Sequence, residues 1–489
     1  MIIIFGLSTY SLMKLDMLHI LENQTDFIST NQLQSILGYS NMYLVKKTLR
    51  ELKEEMQYFY EKEDVLLIIS QRNGVRLLHT IDNLHPFIID FLNNDIAIQL
   101  LITILFEREV VTETFCETFY ISESSLRRKV KEINQHLDFY ELKITLSRKM
   151  HLVGPENKIR LLTFALLFFI YRTSEDTQWG DQYMENGHLV KQLEIYLDIH
   201  NSAIQRDILF FVVLSYTISI EKGEPYQPEK SEIFYFDNFD FPDKPDFLFH
   251  WSLYDWKLFT MSIYSTALHS KLLEPSQVKN LFPKNKLVRW KQLFALNFRE
   301  LTTKESLLVE ESLAKQFLTR SFFIIDNELF DSFHIVDYEK MEQIFPIFVA
   351  KFEYFWQTFI AEFPESNFHY IKNVNLLFCL HLMPVESFFI EIRIYIYDIP
   401  DVIKTYIQLQ ILNRFGSKFK LIFVDEQMEA DLILGISSFH EFPPNKTPSY
   451  LCIKMNLTMT DYAQIELKIN TIIAQFLKTE HQHNTILID

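Results

Sequence analysis

The chain has 489 residues, 48% of them hydrophobic and 23% charged, a globular balance that excludes wholesale disorder and suits several domains of about 100–200 residues. Only 9 residues are Gly while 45 are Phe; low Gly argues for long helices, and with neither GxxxxGK(S/T) nor GxGxxG present, Gly-rich phosphate loops are excluded. The net charge of −17 disfavours nonspecific wrapping of nucleic acid by the whole surface, yet leaves room for a local basic patch.

Leu12, Leu15, Leu18 and Leu21 repeat at helical spacing. Ser29 or Thr30 can cap a short helix through Leu37, which Gly38 ends by taking the left-handed conformation. Ser40 or Asn41 then caps a second helix to about Met56. Its exposed face is expected to carry Lys46, Lys47, Arg50 and Lys53. Val65–Ser70 and Val75–Leu78 flank Asn73-Gly74, a hairpin signal, with Arg72 and Arg76 beside the tip. Helix, turn, helix and hairpin make a winged helix-turn-helix over residues 1–80.

Residues 81–154 repeat the pattern. Leu92–Glu107 reads as one helix and Thr112–Phe119 as a short one. Ser124–Leu137 follows as a helix with Leu126, Val130, Ile133 and Leu137 inward and Arg127, Arg128, Lys129 and Lys131 outward. A second hairpin, Leu142–Leu146 and His151–Val153, carries Arg148 and Lys149 at its turn. Basic residues gathered on two recognition helices and two wings of an acidic chain point to double-stranded DNA, with Arg127 and Arg128 contributing most.

Long apolar helices follow, in two all-α bundles over 155–270 and 271–384. Within the first, residues 221–247 read as a long connecting loop. Leu161–Tyr171 and Ile208–Ile220 fall short of the roughly 18–20 residues that span a bilayer, so core helices are expected and no membrane. Cys116, Cys379 and Cys452 are too dispersed for a disulfide framework, which suits a reducing cytoplasm. The scattered histidines form no HxxxH or HExxH, and no metal or other cofactor is expected.

Residues 385–489 alternate strands (389–397, 418–424, 431–436, 450–454) with helices (401–415, 461–477), which implies a small α/β domain with a largely parallel sheet. Cys452, on a late strand, reads as core. The tail over 479–489, with His481 and His483, reads as a frayed terminus. The fold class expected is therefore mainly α and multidomain.

The string Asn375–Pro384, NLLFCLHLMP, resembles the histidine-bearing helix of the PTS regulation domains, with His381 in the histidine position. Tandem winged helices, two such bundles and a C-terminal domain similar to a PTS enzyme II B component match the layout of the Mga/AtxA-type virulence regulators of Gram-positive bacteria. The resemblance implies a transcription activator phosphorylated on histidine through a PTS phosphocarrier protein, working as a homodimer joined by its C-terminal domain. In the first bundle Leu214-Ser215 stands where a histidine would be, leaving His188 and His200 nearby as weaker candidates. The B-component loop, YDIPDV over 397–402, has no Cys, and Asp398 and Asp401 would repel phosphate, so phosphotransfer catalysis is not expected. A PTS-regulated RNA-binding antiterminator is the alternative. It would need a single-strand-binding module of stacking aromatics in place of the winged helices. A phosphocarrier enzyme is a further one.

Overall fold

The computed structural model describes residues 6–81, 83–175, 177, 184–266, 283–324, 338–366, 368–383, 388–397, 399–416, 418–436 and 449–486. The protein is mainly helical, and it divides into two compact units: residues 1–289 with 302–335, and residues 290–301 with 336–489.

In the first unit, α1 (Thr9–Glu22), α2 (Thr30–Leu37) and α3 (Met42–Phe59) lead into the hairpin β1 (Val65–Ser70) and β2 (Gly74–His79). Ser29 and Gln32 form a capping box on α2, and Gly38 ends it at φ 70°. The two strands are antiparallel, Val65 opposite His79 and Ser70 opposite Gly74. Gly74 sits at φ 100°, where a Cβ would collide with the Ile28 carbonyl. That close approach lets Ile28 bridge Val75 and pin the wing to the helical core.

The second winged helix comprises α4 (His85–Asn93), α5 (Ile96–Glu107), β3 (Glu109–Val111), α6 (Thr112–Thr118), α7 (Glu123–Leu137), β4 (Lys143–Leu146) and β5 (Lys149–Val153). The single helix expected over 92–107 is in fact two, α4 and α5, bent by 78°. The cause is local: the Asp95 carboxylate accepts from the Ala97 N–H at 2.8 Å and restarts the helix. The wing also has a third strand, since β3 pairs antiparallel with β5.

The helices α8 (Glu156–Tyr171), α9 (Met184–Tyr196), α10 (Ala203–Glu221), α11 (Lys230–Asp237) and α12 (Leu253–Ser265) build the bundle beside it. Within 221–247 the expected loop contains α11, started by a capping box between Glu229 and Glu232. By length and composition α10 could cross a membrane, but its Leu209–Tyr216 stretch is buried where it packs on α8 and α9. After α13 (Lys284–Asn297), α14 (Thr303–Phe322) packs on α12.

The second unit has an aromatic core. Trp290 and Phe294 of α13 stack at 5.2 Å. They meet α16 (Pro346–Glu362), where Phe352 and Trp356 stack at 6.0 Å. The helix expected over 338–363 breaks into α15 (Tyr338–Ile344) and α16, because Pro346 fits only a first helical turn. α17 (Lys372–Leu382) carries Asn375, whose side-chain oxygen accepts from the Trp290 indole N–H at 3.1 Å.

The C-terminal part contains β6 (Glu391–Tyr397), α18 (Asp401–Phe415), β7 (Lys420–Phe423), β8 (Leu432–Gly435), β9 (Ser449–Cys452) and α19 (Met459–Ile486). Its sheet order is β7-β6-β8-β9 and every pairing is parallel. Alternate residues Ile392, Ile394 and Ile396 share one core with Ile407 and Ile411 of α18 and Ile465 and Ile469 of α19. Cys452, expected in the core, is exposed at the end of β9. The tail expected to fray continues α19 to Ile486.

Candidate nucleic-acid interface

The Ser122 side chain caps α7 by accepting from the Ser125 N–H at 3.2 Å. Leu126, Val130, Ile133 and Leu137 are buried, at roughly 1.5–3 kcal/mol of stabilisation each. Helical geometry then sends Ser124, Arg127, Arg128, Lys131 and Gln135 outward, and all five are exposed. Arg127 holds the Glu123 carboxylate one turn back, its Nε donating at 3.0 Å. Lys129, grouped with these by sequence, instead turns to the flank. It is half-buried and donates to the Gly6 carbonyl at 2.9 Å and to Glu132 at 2.7 Å.

An open groove of about 770 Å³ runs between α7 and β4, lined by Arg127, Lys131, Asn134, Gln135 and Lys143. The reading of the sequence passed over Lys143; its strand position at the start of β4 was the available signal. On the wing, Arg148 and Lys149 are exposed. Lys149 donates to Glu109 on β3, and His151 Nδ1 lies 3.5 Å from the same carboxylate. The hydrogen bond from Lys149 holds the Glu109 carboxyl below the usual range.

The first winged helix offers a similar face. The Asn41 side chain caps α3, accepting from Tyr43 and Leu44. Lys46 and Lys47 are exposed, as is Arg50 one turn on, while Lys53 is half-buried. Lys47 lies 3.8 Å from Glu51. Arg72 is exposed at the wing tip. Arg76 is half-buried, its guanidinium 5.8 Å from the centre of the Phe27 ring.

A network of charges that the sequence reading missed joins the second winged helix to the bundle. Arg108, at φ 61° between α5 and β3, donates to Glu156 of α8 at 2.9 Å and to Ser219 of α10 at 2.6 Å. Glu156 also accepts from Arg160 at 3.2 Å. Arg160, 2% exposed, pairs with Asp255 of α12 at 2.7 Å. Burial pulls the Arg108 pKa down and the Glu156 charge opposes that shift. The available signal was a lone Arg inside the apolar run Ile159–Leu162.

The histidine candidates fall in different settings. His188 on α9 and His200 beyond it are exposed, and Leu214 and Ser215 are buried inside α10. His381 is exposed in the last turn of α17. Arg299 donates to the Leu382 carbonyl, one residue on, at 2.6 Å. Of the C-terminal loop, Asp398 lies outside the described residues and Asp401 opens α18, exposed.

A buried three-helix core, a recognition helix with a basic outer face and a three-stranded wing define a winged helix-turn-helix protein. Residues 83–168, from the start of this unit into α8, match the Mga helix-turn-helix domain. A protein of Streptococcus pneumoniae serotype 4 (strain ATCC BAA-334 / TIGR4), named "Putative trans-acting regulator", is 27% identical over 119 residues, which cover 24% of this chain and 24% of that one. The chain thus matches about a quarter of that relative's length. The second winged helix is thus similar to the helix-turn-helix domain of the Mga-type regulators.

Proposed function

We propose that the protein is a DNA-binding transcription regulator of the activator type. The observation that carries this reading is the face of α7: Arg127, Arg128 and Lys131 are exposed at helical spacing beside a groove that Lys143 also lines. Guanidinium forks suit phosphates and guanine edges, and lysines at the groove wall suit phosphates. Lys46, Lys47, Arg50 and Arg72 form a second, auxiliary face, and Arg148 and Lys149 a wing contact. The test is fluorescence anisotropy with a duplex of about 40 base pairs across a salt series. Wild type should bind with a steep salt slope, and Arg127→Ala/Arg128→Ala should bind more weakly with a shallower one. Equal binding by both proteins rejects the assignment.

Phosphorylation through a PTS phosphocarrier protein is the regulatory part of the proposal, with His381 the first candidate and His188 and His200 behind it. Exposure of His381 gives a phosphodonor access. A phosphate there would add nearly two negative charges one residue from the carbonyl that Arg299 binds. Phosphate competing for Arg299 would loosen the end of α17. Incubation with phosphorylated carrier protein should label wild type and not His381→Ala.

The oligomerisation part rests on α18. Val402, Tyr406, Leu409 and Leu412 are exposed along one face, Val402 by 85%. The same stripe on a second copy would cover it in an isologous contact, doubling the DNA-reading helices. Leu409→Glu should convert dimers to monomers in sedimentation; retained dimers reject this surface.

A further inference from the structure

A cavity of about 130 Å³ lies inside the first unit where α8, α10, α12 and α14 converge. Leu161, Phe164, Val212 and Phe323 form its apolar wall. The polar part of the lining is Asn157, the Tyr216 phenol and the five aliphatic hydroxyls of Ser215, Ser262, Ser265, Thr266 and Thr319. Each of these five donates its proton to a backbone carbonyl within one turn of its own helix: Ser215 to Val212 at 2.7 Å, Ser262 to Phe259 at 2.7 Å and Thr319 to Lys315 at 3.0 Å, with Ser265 and Thr266 likewise on Ser262. What these five turn to the cavity is lone pairs, which accept, while the buried Tyr216 hydroxyl beside them supplies a donor. Arg160 also borders the space, but its guanidinium is engaged by Glu156, Asp255 and the Glu224 carbonyl. An anion would meet a guanidinium already paired with two carboxylates, with acceptor oxygens around it.

We infer that this cavity is an effector site for a small uncharged ring compound carrying one hydroxyl donor, of the phenol class. The size fits: an apolar protein cavity of comparable volume stays dry and takes up benzene. The hydroxyl fits because it can donate to the serine and threonine oxygens, whose protons are spent, and accept from Tyr216. The link to output follows from Glu156, whose single carboxylate oxygen holds both Arg160 at the cavity and Arg108 of the second winged helix. Filling the cavity orders α8 and α10 and so pre-organises the winged helix they grip. This last link rests on the DNA-binding reading above.

The experiment uses the full chain and ¹⁹F NMR. The 4-fluorophenol resonance should broaden on adding protein and sharpen again when unlabelled phenol competes. The anion 4-fluorobenzoate should remain sharp, and fluorobenzene should bind more weakly than the phenol. Val212→Phe fills the space and should abolish broadening while keeping the helical circular dichroism. If that variant does not fold, Ser215→Val, which removes one acceptor and adds bulk, should weaken binding about tenfold or more, the loss expected when a buried hydrogen bond and fit are both removed. Phenol should tighten duplex binding about fivefold, the lower end of typical coupling. No broadening at millimolar phenol, equal binding of the benzoate or undiminished binding by both variants overturns the site. Binding without any change in duplex affinity overturns the effector role. A protein that takes up fluorophenol but binds no duplex would reject the DNA-binding reading and leave the cavity site standing.

Discussion

The two winged helices share a layout but differ in what holds them. The second is joined to the helical bundle by charges: Arg108 to Glu156 and Ser219, Lys222 to Glu107 at 2.7 Å and Lys158 to Glu141 at 2.6 Å. The first is tied to the second, through Ser11 donating to Asp95 at 2.7 Å. Its own helices are clamped by buried Lys14 on Glu55 at 2.5 Å. The difference separates two tasks. A change in the bundle can reach the second winged helix through Arg108, Glu107 and Glu141, and the first through its tie to the second. The same residue type serves both ends: arginine exposed on α7 is available to a partner, and Arg160, buried on α8, fixes the mount.

The sharpest way to break this comparison is at the mount. Asp255→Ala leaves the Arg160 charge buried and also strips acceptors from the Tyr226 and Ser252 N–H groups. Unfolding by urea should show a loss of about 3–5 kcal/mol. By contrast, Arg127→Ala/Arg128→Ala should change stability by no more than about 0.5 kcal/mol, since both side chains are exposed. Comparable losses for the two proteins would remove the distinction between mount and reader.

The second way compares the readers. Removing Arg127 and Arg128 should cost about 1–3 kcal/mol of duplex binding for each guanidinium that touches a base, and lower the salt slope by about two. Lys46→Ala/Lys47→Ala should lower the slope similarly with a smaller loss of affinity, because an ammonium is a point charge and Lys47 already leans on Glu51. A larger loss from the first pair of lysines would make the first winged helix the principal reader.

Most of the two winged helices was legible because their signals are local. Ser29, Gly38, Asn41 and Ser122 act within one turn, and the inward leucines repeat every three or four residues. What was not legible depends on chain brought from far away. Lys129 reads as one more outward cation until the Gly6 carbonyl, 123 residues earlier, is folded beside it. β3 is only three residues long and exists as a strand because β5 lies against it. The break between α4 and α5 was legible in principle, since Asp95 is a capping residue, but continuous hydrophobicity on both sides masked it. Cys452 looked buried because strands usually are; β9 is an edge strand, and its last residue lies open. The Arg108–Glu156–Arg160–Asp255 set joins residues almost 150 positions apart, a distance at which no spacing rule operates.

The caps give a smaller test. Ser122→Ala and Asn41→Ala should each destabilise by about 1 kcal/mol. Only the first should also weaken duplex binding appreciably, because Ser122 starts the helix that carries Arg127 and Arg128.

The smallest expected effect lies on the second wing, where the comparison is one of charge balance. Lys149 and His151 share Glu109 on the neighbouring strand, whereas Arg72 at the first wing tip is exposed and its backbone N–H is held by Ser70. Glu109→Gln keeps the side chain's size and removes the charge that competes with phosphate for Lys149. Duplex affinity should rise about twofold to fivefold and the salt slope steepen by less than one. Adding Lys149→Ala should erase the gain, which separates release of Lys149 from a general loss of negative charge. The pKa of Glu109 is lower in the folded chain than unfolded. Its pair therefore contributes above the ordinary Glu range and is lost only as pH falls through the lowered value. Across about pH 6–8 the carboxylate stays charged, so the gain from Glu109→Gln should be flat there. A gain that changes across that window would reject this account.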